Sequence, residues 1–152
     1  MRLWHKDMIK YLPNQQLISQ WRELCCIGVL LAKNHTPNHI LVNPILDFPP
    51  DHFEQYCNLV VKEMKKRKFN INESSYHTLQ NNVRAWRIYL GMELPYNQID
   101  TDWEISLSEP ELFEGWHDNR YLRQCYYNLE EKYDRGGISN DEWLVIFAHF
   151  GG

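Results

Sequence analysis

Arg22 and Glu23 stand side by side in SQWRELCC, residues 19–26, between Trp21 and the Cys25–Cys26 pair. A carboxylate can take and return protons, and a guanidinium grips phosphate oxygens in a planar fork. On pattern alone the pair also has a plainer reading as solvated charges on the outer side of a helix. Other chemistry-bearing residues are scattered. The seven histidines form no pair with convincing ligand spacing, and His35 and His39, in a loop-like stretch, make only a weak metal candidate. Nothing matches a phosphate-binding glycine loop, a GxSxG elbow or an HExxH helix. Cys25, Cys26, Cys57 and Cys125 lack both zinc spacing and a secreted disulfide framework, so reduced and mostly buried thiols are expected. No metal and no cofactor is expected.

Positioning Arg22 and Glu23 falls to a helix that follows Pro13. Leu17, Trp21, Leu24, Gly28 and Leu31 recur at helical spacing as an apolar stripe, with Gln15, Ser19, Arg22, Glu23 and Cys26 on adjoining faces. Asn14 is the expected N-cap, and KNHTPN ends the helix near Lys33. HILVNPILDFPP is too short and proline-rich for a helix and reads as extended loop with at most a short strand. Asp51 and Glu54 read as a capping box opening a second helix, with Phe53, Tyr56, Cys57, Val60, Val61 and Met64 inward. It ends in KKRK, residues 65–68, where positive charge suits a helix C-terminus and phosphate contact is the lesser alternative.

A third helix from Ser74 or Ser75 carries Tyr76, Leu79, Val83, Trp86 and Leu90 and stops near Gly91. Glu93 to Asp118 contains no Lys or Arg, and PYNQIDTDWEISLSEPE reads as irregular surface. Ser108 with Glu111 forms a possible cap for a short turn interrupted at Gly115. DNRYLRQCYYNLEEKYDRGG is a fourth helix with Tyr121, Leu122, Cys125, Tyr126 and Leu129 inward and a Gly136–Gly137 stop. Ser139 and Glu142 cap a last helix holding Trp143, Ile146 and Phe147. The aromatic residues Trp21, Tyr56, Trp86 and Tyr126 fall on core-facing positions, which outweighs a base-stacking reading. No useful strand alternation appears, so the expectation is an all-α, compact single-domain helical bundle over residues 1–152, with no internal repeat.

The chain has 152 residues, 43% hydrophobic and 14% aromatic, enough for one core. No run is apolar and long enough for a membrane span, and MRLWHKDMIK lacks a leader's apolar region; a soluble cytoplasmic protein is expected. The formal charge of −4 hides a polarity. Residues 1–92 hold twelve basic against seven acidic residues, and residues 93–152 hold four against thirteen. A positive first part permits a polyanion partner, while the acidic remainder reads equally well as a solubilising surface.

MRLWHKDMIKYLPNQQLISQWRELC resembles the start of the endonuclease V-like pyrimidine-dimer DNA glycosylase family, with Gln15, Leu17, Arg22, Glu23 and Leu24 matching the family's first helix. HFEQYCNLVVKEMKKRKFNI resembles its second helix, and NLEEKYDRG is a weaker third match. Residues 73–116 have no clear counterpart and are expected to be an insertion. The resemblance implies a helical enzyme acting on damaged double-stranded DNA as a monomer without a cofactor. It implies that an N-terminal α-amine attacks C1′ of the damaged nucleotide's deoxyribose to form an imine as the base leaves. α-Amines titrate near ~7.7 to 8, far below lysine, so a useful fraction is neutral at physiological pH. The register places Met1 over the nucleophilic residue, with methionine retained because Arg2 follows it. Glu23 matches the carboxylate that moves protons for the β-elimination that nicks the strand.

The same resemblance implies DNA contacts from Arg2, Gln15, Arg22 and Lys132. It also exposes departures. Gln16 stands where the family pattern has a histidine, Cys26 and Asn128 where it has DNA-gripping arginines, and GGISNDEWLVIFAHFGG replaces an aromatic lesion-binding tail. Lost cations weaken the counterion-release part of affinity. The leading expectation is a DNA repair glycosylase with abasic-site lyase activity. The alternative is a non-enzymatic nucleic-acid or protein binding module on the same scaffold, favoured by the acidic stretch.

Overall fold

The computed structural model describes residues 1–92 and 111–152. Five α-helices are present among them: α1 Asn14–Asn34, α2 Pro50–Lys66, α3 Glu73–Tyr89, α4 Asn119–Asp134 and α5 Asn140–Phe150. There is no strand among the described residues, and no helix is long and apolar enough to cross a membrane. The all-α expectation holds. The Ser108 cap falls outside the described residues, as does nearly all of the acidic stretch read as irregular surface.

In α1 the expected stripe is buried at Leu17, Trp21, Leu24, Gly28 and Leu31. Its start differs from expectation. Pro13 takes the N-cap position, and Asn14 is already helical. The Asn14 N–H donates instead to Glu142 Oε2 of α5 at 2.8 Å, so a distant carboxylate serves the orphan donor of the first turn. His35 closes the helix in the left-handed region at φ 63.

HILVNPILDFPP contains a 3-10 helix, Asn43–Asp47, where an extended loop was expected. Pro44 lies in its first turn, where its fixed φ and missing N–H cost nothing, and the buried Val42 and Ile45 anchor it. A second 3-10 helix, Lys6–Tyr11, precedes α1.

The Asp51–Glu54 capping box is also corrected. Pro49 holds the N-cap position of α2, so Asp51 lies inside the first turn and Glu54 is completely buried. Both carboxylates serve Arg87 of α3. Its Nε donates to Glu54 Oε1 at 2.7 Å, its Nη2 to Glu54 Oε2 at 2.9 Å, and Nη2 also pairs with Asp51. A buried charge is tolerable only when paired in this way, and Glu54 and Asp51 hold the Arg87 guanidinium protonated against the pull of burial. Arg67 of KKRK is similarly committed. It donates to Leu12 O at 2.7 Å, Lys10 O at 3.1 Å, Asn14 Oδ1 at 3.0 Å and Glu63 at 2.9 Å, stitching the end of α2 to the chain entering α1.

Asn72 caps α3 by accepting from Ser75 N–H. α3 lies along α1 at close range: a Cβ on Gly28 would come 2.6 Å from Leu79 Cδ1, so any larger residue there would push the Leu79 side chain aside. Leu79, Val83 and Trp86 enter the common core. The segment expected as an insertion thus supplies a core helix over residues 73–89. Leu90, placed on the same side of the third helix as Leu79, Val83 and Trp86, and Phe147 of the last helix are exposed. Asp118 and Ser139 cap α4 and α5 through Tyr121 N–H and Glu142 N–H, as Ser139 was expected to do.

Candidate active site

Residues 1–5 form an extended segment before the first 3-10 helix. An extended segment in a helical core has no ladder to satisfy its backbone, so other groups must. Three helices supply them. Tyr121 of α4 donates its hydroxyl to Leu3 O at 2.6 Å. Tyr56 of α2 shares its hydroxyl proton between Trp4 O at 2.6 Å and Gln20 Oε1 at 2.9 Å. Gln20 of α1, with no exposed surface, accepts from Trp4 N–H at 2.8 Å and donates to Arg2 O at 3.1 Å. The carbonyls of Arg2, Leu3 and Trp4 are therefore all held by side chains.

This clamp fixes where the chain's first residue lies. Met1 is 43% exposed at the end of the held segment. The second proton of the Gln20 amide goes to Glu23 Oε2 at 3.3 Å, so one side chain links the N-terminal backbone to the carboxylate. Glu23 is half-buried one turn further along α1. Burial raises its pKa, and the raise is opposed by the positive charge of the Met1 α-amine, the Arg2 backbone N–H, and the charges of His39 and Lys132. Burial thus favours the neutral form of this carboxyl, and the nearby positive charges favour the ionised one.

The structure brings Met1, Glu23 and Lys132 into one electrostatic neighbourhood, with Lys132 exposed in the last turn of α4. Arg22 is exposed next to Glu23. Gln15 is exposed too, but eight residues along α1 place it about 12 Å from Glu23, so it does not join the cluster. Arg2, expected to contact phosphate, is partly exposed beside Met1. Its guanidinium lies 5.6 Å from the Trp4 ring centre, and Nη1 is 3.9 Å from Cys125 Sγ of α4, partly buried. The sequence reading missed Gln20, the hydroxyl roles of Tyr56 and Tyr121, and His39 as a charge near Glu23. Gln20 left a signal: an amide at helical spacing within the stripe Leu17, Trp21, Leu24 has to bond something.

Beneath the clamp, His5 and His117 stack at 5.2 Å. His117 Nδ1 accepts from Lys6 N–H at 2.9 Å, while its Nε2 is buried without a partner. Burial, with lesser repulsion from His5 and Lys6, drives the His117 pKa down to about 2, so this ring stays neutral and structural.

Met1 thus ends a clamped segment that Gln20 links to the half-buried Glu23 within a bundle of helices. The sequence matches the pyrimidine dimer DNA glycosylase family over residues 1–77, which takes in the clamped segment, α1 and α2. The chain belongs to that family, and so to the DNA repair glycosylases that act on DNA. No curated protein and no solved structure gives a significant match.

Proposed function

We propose that the chain is a DNA glycosylase with abasic-site lyase activity, with the α-amine of Met1 as nucleophile and Glu23 as proton carrier. The observation that supports this reading most is the clamp: Gln20, Tyr56 and Tyr121 spend four hydrogen bonds holding three residues of extended chain. Holding a reactive group in place beforehand is one of the larger contributions to catalysis. The amine nitrogen attacks C1′ of the damaged nucleotide's deoxyribose, and the glycosidic electron pair leaves with the base. Loss of a proton and opening of the sugar give an imine. Removal of a proton from C2′ then breaks the C3′–O bond, the phosphate leaves, and water later releases the enzyme. Glu23 shuttles these protons, and Arg22 and Lys132 contact phosphates of the duplex. The enzyme acts as a monomer on damaged double-stranded DNA.

Incubating the protein with abasic-site duplex and borohydride tests this. A covalent adduct that disappears when the N-terminus is blocked is expected, and Glu23→Gln should trap but fail to nick. No adduct from the unblocked protein would overturn the amine's role; full nicking by Glu23→Gln would remove Glu23 from its role. The acidic second part of the chain favours the alternative of a non-enzymatic nucleic-acid or protein binding module on the same scaffold. That reading predicts partner binding without any adduct.

A further inference from the structure

Ile40 is 84% exposed and Leu41 42% exposed, at the tip of the turn between α1 and the Asn43–Asp47 3-10 helix. Singly exposed apolar side chains are ordinary on a protein surface. Here two neighbours are held out by a turn that closes on one residue, His39. Its carbonyl accepts from Val42 N–H at 2.9 Å and from Asn43 N–H at 2.8 Å. Its ring Nδ1 accepts from Leu41 N–H at 3.2 Å, and its own N–H donates to Asn43 Oδ1 at 3.0 Å. Val42 and Ile45, buried in the core, anchor the turn from behind. With these bonds and anchors in place, the turn does not rely on Ile40.

The tip stands at the candidate site. Ile40 and Leu41 line one side of an open recess whose other side is the start of α4, with Arg120 and Tyr121. Tyr121 is the residue that holds Leu3 O in the clamp, and His39 lies near enough to Glu23 for its charge to act on that carboxyl. Arg120 is exposed, as is Arg22 beside Glu23, while Asp118, also in the recess, is engaged in capping α4. An apolar tip flanked by guanidinium groups fits a duplex: cations meet phosphates, and an apolar side chain enters between bases whose stacking it replaces. An enzyme that works on one nucleotide of a duplex must open the stack around it, and a side chain that fills the gap keeps it open.

We propose that Ile40, backed by Leu41, is a wedge that enters the base stack of the damaged duplex beside the nucleotide held at Met1 and Glu23. The wedge rests on the reading of that site as the glycosylase centre, but its insertion needs no chemistry.

The test uses a duplex with a tetrahydrofuran abasic analogue, which cannot form an imine, and 2-aminopurine as the adjoining base. Saturating native protein should raise the 2-aminopurine fluorescence about twofold or more, because unstacking relieves its quenching. Ile40→Ala should abolish most of that rise and weaken duplex binding about tenfold, with a melting temperature within about 2 °C of the native chain's. Ile40→Lys, which adds a phosphate-seeking charge, should give no rise however tightly it binds, and Ile40→Leu should give the native rise. No rise with the native chain, or a rise that survives Ile40→Ala and Ile40→Lys, would overturn the proposal. A native dimer that Ile40→Ala turns into a monomer on sedimentation would assign the tip to a second copy and overturn it too. A rise lost in Ile40→Ala, without borohydride trapping on a true abasic duplex, would instead remove Met1 as nucleophile and leave the wedge standing.

Discussion

Replacing Gln20 with leucine keeps the side chain's approximate volume and removes all of its hydrogen bonds. The buried Trp4 N–H then loses the acceptor it holds at 2.8 Å, at a cost of about 1–3 kcal/mol for an unsatisfied buried donor. The Arg2 carbonyl loses a partly buried bond worth about 0.5–1.5 kcal/mol. Tyr56 keeps Trp4 O, so its hydroxyl adds little. The sum, about 2–4 kcal/mol, lowers the melting temperature by about 5–15 °C for a chain of this size. If the clamp also places the Met1 amine, the rate of imine trapping on abasic duplex should fall about a hundredfold, the usual cost of misplacing a reacting group by an ångström. The control is Ile146→Ala in α5, buried and remote from the N-terminal segment, which should cost a comparable 2–5 kcal/mol as an order of magnitude. Both proteins are assayed at about 20 °C below the lower melting point, by single-turnover trapping and by calorimetry. A Gln20→Leu protein with the expected loss of stability and an unchanged trapping rate would refute the positioning argument, leaving Gln20 as a structural residue only.

Three further outcomes follow from other parts of the molecule. Arg87→Ala strands the fully buried Glu54 and should cost about 3–5 kcal/mol in urea melts, whereas Arg87→Met with Glu54→Leu should recover most of that loss. His117 titrates near 2 in the folded chain and near 6.5 when unfolded, so its contribution is intact above pH 6.5. It is lost as pH falls, because only the unfolded chain takes the proton. Stability should therefore decline by about 1.4 kcal/mol per pH unit below 6.5 from this ring, with His5 and His52, also lowered by burial, adding in the same direction. Urea midpoints measured from pH 7 to 5 check this, and a flat profile would contradict it. Thiol labelling at pH 8 should mark the exposed Cys26 first and Cys25 slowly, since burial pushes its thiol up to about 11, and should reach Cys57 and Cys125 only in denaturant.

The helices were legible because their signal is local. An apolar stripe of period 3.6 can be read without knowing what it packs on, and the residues of α1 and α4 named from that period are the ones that face inward. What failed was the assignment of polar residues to partners. Asp51 and Glu54 have the spacing of a capping box, yet their partner is Arg87, more than thirty residues away on α3. Asn14 looked like a cap and instead receives Arg67 and lends its N–H to Glu142. A charged residue satisfies whichever group the fold brings near, and no local period reports that. Glu23 and Met1 were reached only through resemblance, while Gln20 was overlooked because a single amide inside a stripe does not disturb the hydrophobic pattern.

That oversight bears on how such a site can be built at all. A helix positions a side chain through its own backbone ladder, but a chain terminus has no ladder and frays unless other elements hold it. Here the holding groups come from α1, α2 and α4, each contributing the polar atoms of one side chain from an otherwise apolar face. Each of these atoms would be costly to bury alone, and together they pair with backbone groups that would be equally costly alone. The amide of Gln20 extends the same network to Glu23, so the carboxylate and the chain's first residues are set by one arrangement. Exposed cations such as Arg22 and Lys132 can then vary without disturbing it, which is consistent with a chain that keeps this network while Cys26 and Asn128 stand where the resemblance implies arginines.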